Sequence, residues 1–308
     1  MTQALTEDDV HRAADRLAGR IVRTPTIDVP GERALLSLEF LQLAGTVKYR
    51  SALNRILAAS ETRRVRGVVA ASGGNAAVAA AYAARTMGLS SKVFVPPFIT
   101  TEKVLRLAKL DAEVVQTGSD YQDAEDEALA EADAAGALFI HPYDGIDVCA
   151  GLGTLAFDLV ASGIGFDTVL VPVSGGGLLA GLAVALRAAG RSDARVVGVE
   201  TSGCAAFAAA LAAGEIVDVP VSGIAVDGLG APRAGAVPFE VATRLGLRSI
   251  VVGDGDALAA RDELFAERRI LVELSAAVAY APLMSGAYVP EPDERVLVVL
   301  ASANASRG

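Results

Sequence analysis

Short β-branched runs alternate with alanine-rich helical stretches along nearly the whole chain, and this alternation constrains the fold more than any other feature. The runs fall at 68–71, 93–95, 113–116, 138–140, 168–173, 196–200, 249–252 and 296–300. Between them, apolar positions recur at helical spacing, clearest at 76–87, 121–135, 178–189 and 257–267. Strands that alternate with helices of that length join in parallel, each crossover laying a helix on the sheet, so the pattern predicts an α/β protein with parallel sheets. At 308 residues and 52% hydrophobic content the chain can bury one large core or two medium ones, and a two-lobed molecule is expected. No low-complexity linker marks a boundary.

Candidate chemistry begins at Lys48, in LEFLQLAGTVKYRSALNRI. It is one of four lysines against 23 arginines. A guanidinium stays protonated and does not readily condense with an aldehyde, whereas a lysine amine does once burial or neighbours lower its pKa. The other lysines, Lys92, Lys103 and Lys109, crowd into one segment that reads as strand edge and surface helix. Two glycine loops follow. SGGGLLAG, from Ser174 to Gly181, comes after the apolar strand TVLVPV and opens a helix. Glycines there let backbone N–H groups approach an anion while the helix N-terminus adds partial positive charge. ASGGNAAVAAAYAAR repeats the strand–loop–helix design and presents Ser72, Asn75 and the first helical amides. Taken alone, these residues also read as a helix N-cap serine and a turn asparagine.

In this order, Lys48, SGGN (Ser72 to Asn75) and SGGGLLAG resemble the fold-type II family of pyridoxal phosphate (PLP) enzymes, which includes threonine and serine dehydratases and serine racemase. The resemblance runs from RTPTI (23–27) through VFVPP, HPYDG, GLGT, VVGVE, VDGLG and LVELSAAVA to the C-terminal LASAN. It implies a two-lobed α/β architecture like the β subunit of tryptophan synthase, with a parallel sheet and flanking helices in each lobe. Residues 49–144 would form a small lobe inserted into a large one built from 1–48 and 145–308, with the cofactor in the cleft between. It further implies that Lys48 carries PLP and acts as the base on the substrate's Cα–H. Ser174, Gly175, Gly176, Gly177 and Leu178 would hold the phosphate. Asn75 would bond the ring oxygen, and Ser72, Gly73, Gly74, Asn75 and Ala76 would hold the substrate carboxylate.

The chain departs from the family pattern at several places. Gly73 stands where racemases carry the serine that serves the far face of the substrate, which favours elimination over racemisation. In LASAN the position facing the pyridine nitrogen becomes Ala301, so either Ser302 reaches the nitrogen or no side chain does. Val47, Ser37, Leu152 and Leu274 replace a phenylalanine, a lysine, a glutamine and a proline, while Glu273 is retained at the expected wall of the site. The divalent-metal pattern of some relatives would fall on Glu200, Cys204 and Ala206. Because Ala206 has no carboxylate, no metal site is expected.

Composition narrows the remaining choices. A net charge of −10 disfavours nucleic-acid and anionic-membrane partners. No apolar stretch approaches the length of a membrane span, and the N-terminal MTQALTEDDVHRAADRL is acidic and amphipathic without a signal core. Cys149 and Cys204 have no metal or disulfide spacing and read as small buried hydrophobes. His11 and His141 follow no nucleophile-elbow pattern. The chain ends soon after Asn304, leaving no room for an appended amino-acid-sensing domain. The expectation is therefore a cytoplasmic, homodimeric PLP-dependent ammonia-lyase that dehydrates a small β-hydroxy amino acid such as threonine or serine to a 2-oxo acid and ammonia. A racemase or β-replacement enzyme on the same scaffold, or a non-catalytic homologue, are the alternatives.

Overall fold

A computed structural model describes residues 4–28 and 34–304. Among these residues ten strands form two sheets: β1 (Thr26–Asp28), β2 (Ala34–Ser37), β3 (Val68–Ala71), β4 (Ser91–Val95), β5 (Ala112–Gln116), β6 (Leu138–Phe139), β7 (Thr168–Pro172), β8 (Arg195–Thr201), β9 (Arg248–Val252) and β10 (Val296–Val299). The smaller sheet has the order β5-β4-β3-β6 and is parallel throughout. The larger has the order β1-β2-β10-β7-β8-β9, parallel except where β1 meets β2. Strands β7 and β10 are buried at every position, as expected of runs such as VLVV in a sheet covered on both faces.

All eight expected strands form, with ends shifted by a residue or two. The pattern missed β1 and β2. Each is only three or four residues long, and β2 becomes a strand because β10, more than 250 positions later, pairs with it. Such pairing leaves no local trace.

Three helices bring the site together. Helix Ile146–Gly153 lies between helix Lys48–Thr62 and helix Gly177–Ala188, and glycines let it approach both. A Cβ at Gly151 would come within 2.7 Å of the Arg50 carbonyl, and one at Gly153 would strike the backbone of Gly181. The two glycines of GLGT are thus contact points that hold the start of helix Lys48–Thr62 close to the start of helix Gly177–Ala188. Helix Lys48–Thr62 also packs on helix Asn75–Thr86 of the smaller sheet, burying Tyr49, Leu53 and Ile56 with Val68, Ala80 and Leu138. No helix among the described residues is long and apolar enough to cross a membrane.

Candidate active site

Lys48 opens its helix at a point fixed from both ends of the chain. The preceding segment is tied to the C-terminus by N–H donations from Phe40 to the Leu300 carbonyl (2.9 Å), from Val47 to Ala301 (2.8 Å) and from Ala303 to Gly45 (3.1 Å). Beneath it lies a buried ionic network. The inaccessible Glu39 accepts from Thr24 Oγ1 and Arg50 Nε, each at 2.5 Å, and Arg50 also reaches Asp158 at 2.7 Å. Burial alone would lower the pKa of Arg50, but the two carboxylates outweigh it and hold the guanidinium above its ordinary value. Removing one partner from such a pair leaves an uncompensated charge, at a cost of about 3–5 kcal/mol.

The Lys48 amine donates to the Pro142 carbonyl at 2.7 Å. Its side chain keeps some surface in the cleft, yet the amine is enclosed, and desolvation lowers its pKa to about 8. Tyr143, next to that carbonyl, lays its ring and carbonyl against Gly175 and Gly177. One short segment therefore touches both the lysine and the glycine loop. His141 in this segment is held neutral: burial brings its pKa down to about 4, and Nδ1 accepts from the N–H groups of Tyr143 (3.2 Å) and Asp144 (2.9 Å).

The loop after β7 places Ser174, Gly175 and Gly176 ahead of helix Gly177–Ala188. Gly176 adopts φ +96°, and the helix has no side-chain cap. The N–H groups of Gly175 and Gly176 donate to no described residue. With the first helical amides they form a set of donors aimed away from the buried helix, the arrangement an anion occupies. Ser174 Oγ accepts from the Ala231 N–H at 3.3 Å, leaving its own proton free, and Leu178 is buried below. Behind Gly176 stands Phe207, seated by the buried Glu200, which accepts from the N–H groups of Phe207 (2.9 Å) and Ala208 (2.8 Å) and from Ser249 Oγ (2.6 Å). Burial raises the Glu200 carboxyl to about 7. At the position of the relatives' metal pattern, this acid caps helix Ala206–Ala213.

Across the cleft, Ser72 Oγ accepts from the Gly74 N–H at 3.2 Å, and helix Asn75–Thr86, which begins with Asn75 and Ala76, also has no side-chain cap. Asn75 and Ser302 both donate to Glu273 Oε1, which takes a third bond from Ser275 Oγ at 2.9 Å. The structure thus brings together Asn75 and Ser302, two expected site residues from opposite ends of the chain. It also adds residues that the sequence did not single out. Asn304 Nδ2 donates to Asn75 Oδ1 at 2.5 Å and to the Ala44 carbonyl at 3.1 Å. Arg106, from helix Thr101–Ala108, grips Asn304 through the carbonyl (3.1 Å) and the side chain. Lys103, expected on a surface helix, instead lines the same cleft, paired with Asp227. Its direction follows from how the helix sits over the 72–76 loop, which spacing alone does not give.

Comparison with known proteins places this geometry. L-threonine dehydratase catabolic TdcB of Escherichia coli (strain K12) is 32% identical over 285 residues, 91% of this chain and 86% of that protein. The structure of maize serine racemase superposes with a TM-score of 0.92 at 27% identity, covering 99% of this chain and 95% of the other. The threonine deaminase of T.th. gives 0.88 at 30% identity, over 98% of this chain and 99% of the other. The family model described as pyridoxal-phosphate dependent enzyme matches residues 17–302, and the chain belongs to that family of PLP-dependent enzymes.

Proposed function

We propose that the protein is an ammonia-lyase that dehydrates a small β-hydroxy amino acid of the threonine and serine type to a 2-oxo acid and ammonia. The observation that carries this reading is a lysine amine lowered to about pKa 8 and held at the Pro142 carbonyl, next to the Tyr143 that walls the uncapped start of helix Gly177–Ala188. The residues fit the cofactor: the amine can take its aldehyde, and the free amides of the glycine loop suit its phosphate. Bound there, PLP supplies an electron sink that acidifies the Cα–H of the substrate amine.

Each residue then has a part. Ser174, Gly175, Gly176, Gly177 and Leu178 would hold the phosphate, while Asn75 and Ser302 would contact the ring. Ser72, Gly73, Gly74, Asn75 and Ala76 hold the substrate carboxylate, which leaves Cα facing Lys48. Lys48, its amine held at the Pro142 carbonyl, would then be the base that takes the Cα proton. The β-hydroxyl departs as water, and a second water converts the released enamine to 2-oxo acid and ammonia, so no net oxidation occurs. Residues 49–144 act as the small lobe and 1–48 with 145–308 as the large one. The enzyme works as a cytoplasmic homodimer.

Racemisation is the second reading, favoured by one contact. The Tyr121 hydroxyl lies 3.2 Å from where a Cβ at Gly73 would stand, beside the position at which racemases of the family carry their second proton carrier. The absorbance spectrum of the purified protein, followed by a 2-oxo acid assay with L-serine and L-threonine, tests the proposal. A visible-edge cofactor band with 2-oxo acid release supports it. A protein that binds no PLP, or binds it and releases no 2-oxo acid, overturns it.

A further inference from the structure

Arg106 has no ion-pair partner among the described residues. Among the described residues its guanidinium bonds Asn304 alone, once at the carbonyl (3.1 Å) and once at the side chain. Burial lowers its pKa despite the fields of Glu273 and Glu102, so the cation is partly withdrawn from water without a direct carboxylate contact. Of the acids nearby, Asp227 is committed to Lys103 and Glu273 to Asn75, Ser302 and Ser275, while Glu102 stands exposed one turn before Arg106 and forms no ion pair with it. Arg106 lines the same small cleft as Gly73, Gly74 and Asn75, the loop assigned above to the substrate carboxylate. A half-desolvated guanidinium beside a substrate loop is costly until an anion joins it, and its planar fork suits a carboxylate.

We infer that Arg106 recognises a second carboxylate on the substrate, and that the preferred substrates are dicarboxylic β-hydroxy amino acids. This rests on the lyase reading and on the 72–76 loop holding the α-carboxylate. The amides at the start of helix Asn75–Thr86 satisfy that first carboxylate without a cation, which leaves Arg106, on the opposing helix Thr101–Ala108, for the far end of the molecule. Lys103 is already paired to Asp227, which leaves Arg106 as the cation of this cleft without a carboxylate partner among the described residues. A threonine methyl would leave the guanidinium unmatched, whereas a β-carboxylate would meet it.

The test compares 2-oxo acid release by the holoenzyme from 3-hydroxyaspartate and from L-serine. The expected kcat/KM is at least roughly tenfold higher for 3-hydroxyaspartate, as one charge-assisted bond pair warrants. Arg106→Met should cut the ratio of the two kcat/KM values by roughly ten- to a hundredfold, and Arg106→Lys should restore part of it. If Arg106 serves only to hold Asn304, the methionine variant lowers both substrates alike and the ratio stands, which overturns the inference. A wild-type preference for L-serine overturns it without any variant. Calorimetric binding of succinate and butyrate, acids of equal chain length that do not react, separates this from failure of the lyase reading. Stronger binding of succinate, lost in Arg106→Met, supports the second-carboxylate site even if no amino acid is turned over. Equal affinity for the two acids refutes it.

Discussion

The two anion-receptive loops of the cleft share one local design and differ in what surrounds them. Each follows a central parallel strand, β3 or β7, and each opens an uncapped helix. Around the 174–178 loop every glycine meets a wall: Gly175 the Tyr143 ring, Gly176 the Phe207 ring, Gly177 the Tyr143 carbonyl. Gly176 also sits at φ +96°, where a side chain is strained. Around the 72–76 loop the contacts are looser. A Cβ at Gly73 would come 3.0 Å from Ile99 Cδ1 and 3.2 Å from the Tyr121 hydroxyl, and one at Gly74 would come 3.3 Å from the Asp227 carbonyl. Packing fixes the first loop, as suits a group that stays bound. Polar groups and flexible side-chain ends border the second, as suits a ligand that arrives and leaves.

Lys48 is tied through Pro142 and Tyr143 to the 174–178 loop, and its replacement should have the largest effect. Lys48→Ala should lower elimination by at least about 10²–10⁴-fold, since one group is lost both as cofactor anchor and as base. Borohydride reduction of the wild type followed by peptide mapping should place the pyridoxyl group on Lys48. Label on Lys92, Lys103 or Lys109 would remove the lysine from the centre of the comparison.

Gly176→Val comes next. The new side chain must enter the Phe207 ring from a strained backbone, costing about 1–3 kcal/mol from overpacking alone, and it moves the loop amides off any phosphate. Loss of PLP on gel filtration together with a lower Tm is expected. Full occupancy in this variant would show that the 174–178 loop is neither rigid nor a phosphate site.

What the sequence disclosed and what it hid divides along similar lines. The glycine loops and Lys48 were legible because their chemistry is local: a strand, a turn without side chains, a helix start, an amine among guanidinia. The central strands were legible because burial on both faces writes continuous β-branched runs, and the edge strands β5 and β9 because they keep the same β-branched composition at partly exposed positions. Arg106, Asn304 and Tyr143 were not, since each reaches the cleft through a long-range contact. Arg106 stands on a helix whose period describes an ordinary surface element, and only the meeting with Asn304, 198 positions later, turns it inward. The cap that Glu200 forms beneath Phe207 was hidden for the same reason; its residues were read only as an incomplete metal pattern.

The pH dependence of cofactor attachment should be smaller, about tenfold. Burial lowers the Lys48 pKa from its ordinary value to about 8. Below that pH the amine carries a proton and has no lone pair for an aldehyde; above it the free base dominates. The rate of PLP attachment to cofactor-free protein should therefore rise about tenfold from pH 7 to 9 and then level off, by simple titration of one group near 8. Stopped-flow absorbance gives the midpoint. A midpoint at the value of an exposed lysine would mean that the cleft does not desolvate the amine.

The smallest effect is expected at Gly73, and it separates the two loops most directly. Gly73→Ser places its Cβ against the mobile tip of Ile99 and the Tyr121 hydroxyl, at 3.0 and 3.2 Å, so the neighbours need yield only a few tenths of an ångström. The cost should stay below about 1.5 kcal/mol, PLP should be retained within about twofold, and elimination should fall by less than about tenfold. The hydroxyl would also stand where a far-face proton carrier belongs, because Lys48 serves only one face of Cα. Racemisation should rise from near background, read by chiral chromatography of the L-serine reaction. If Gly73→Ser loses cofactor as completely as Gly176→Val, the loops are equally rigid and the comparison fails. D-serine forming faster than 2-oxo acid in the wild type would overturn the lyase reading and turn attention to Tyr121, whose hydroxyl lies beside position 73. Tyr121→Phe would then abolish racemisation if the phenol is the donor, and leave it intact if the proton comes from solvent.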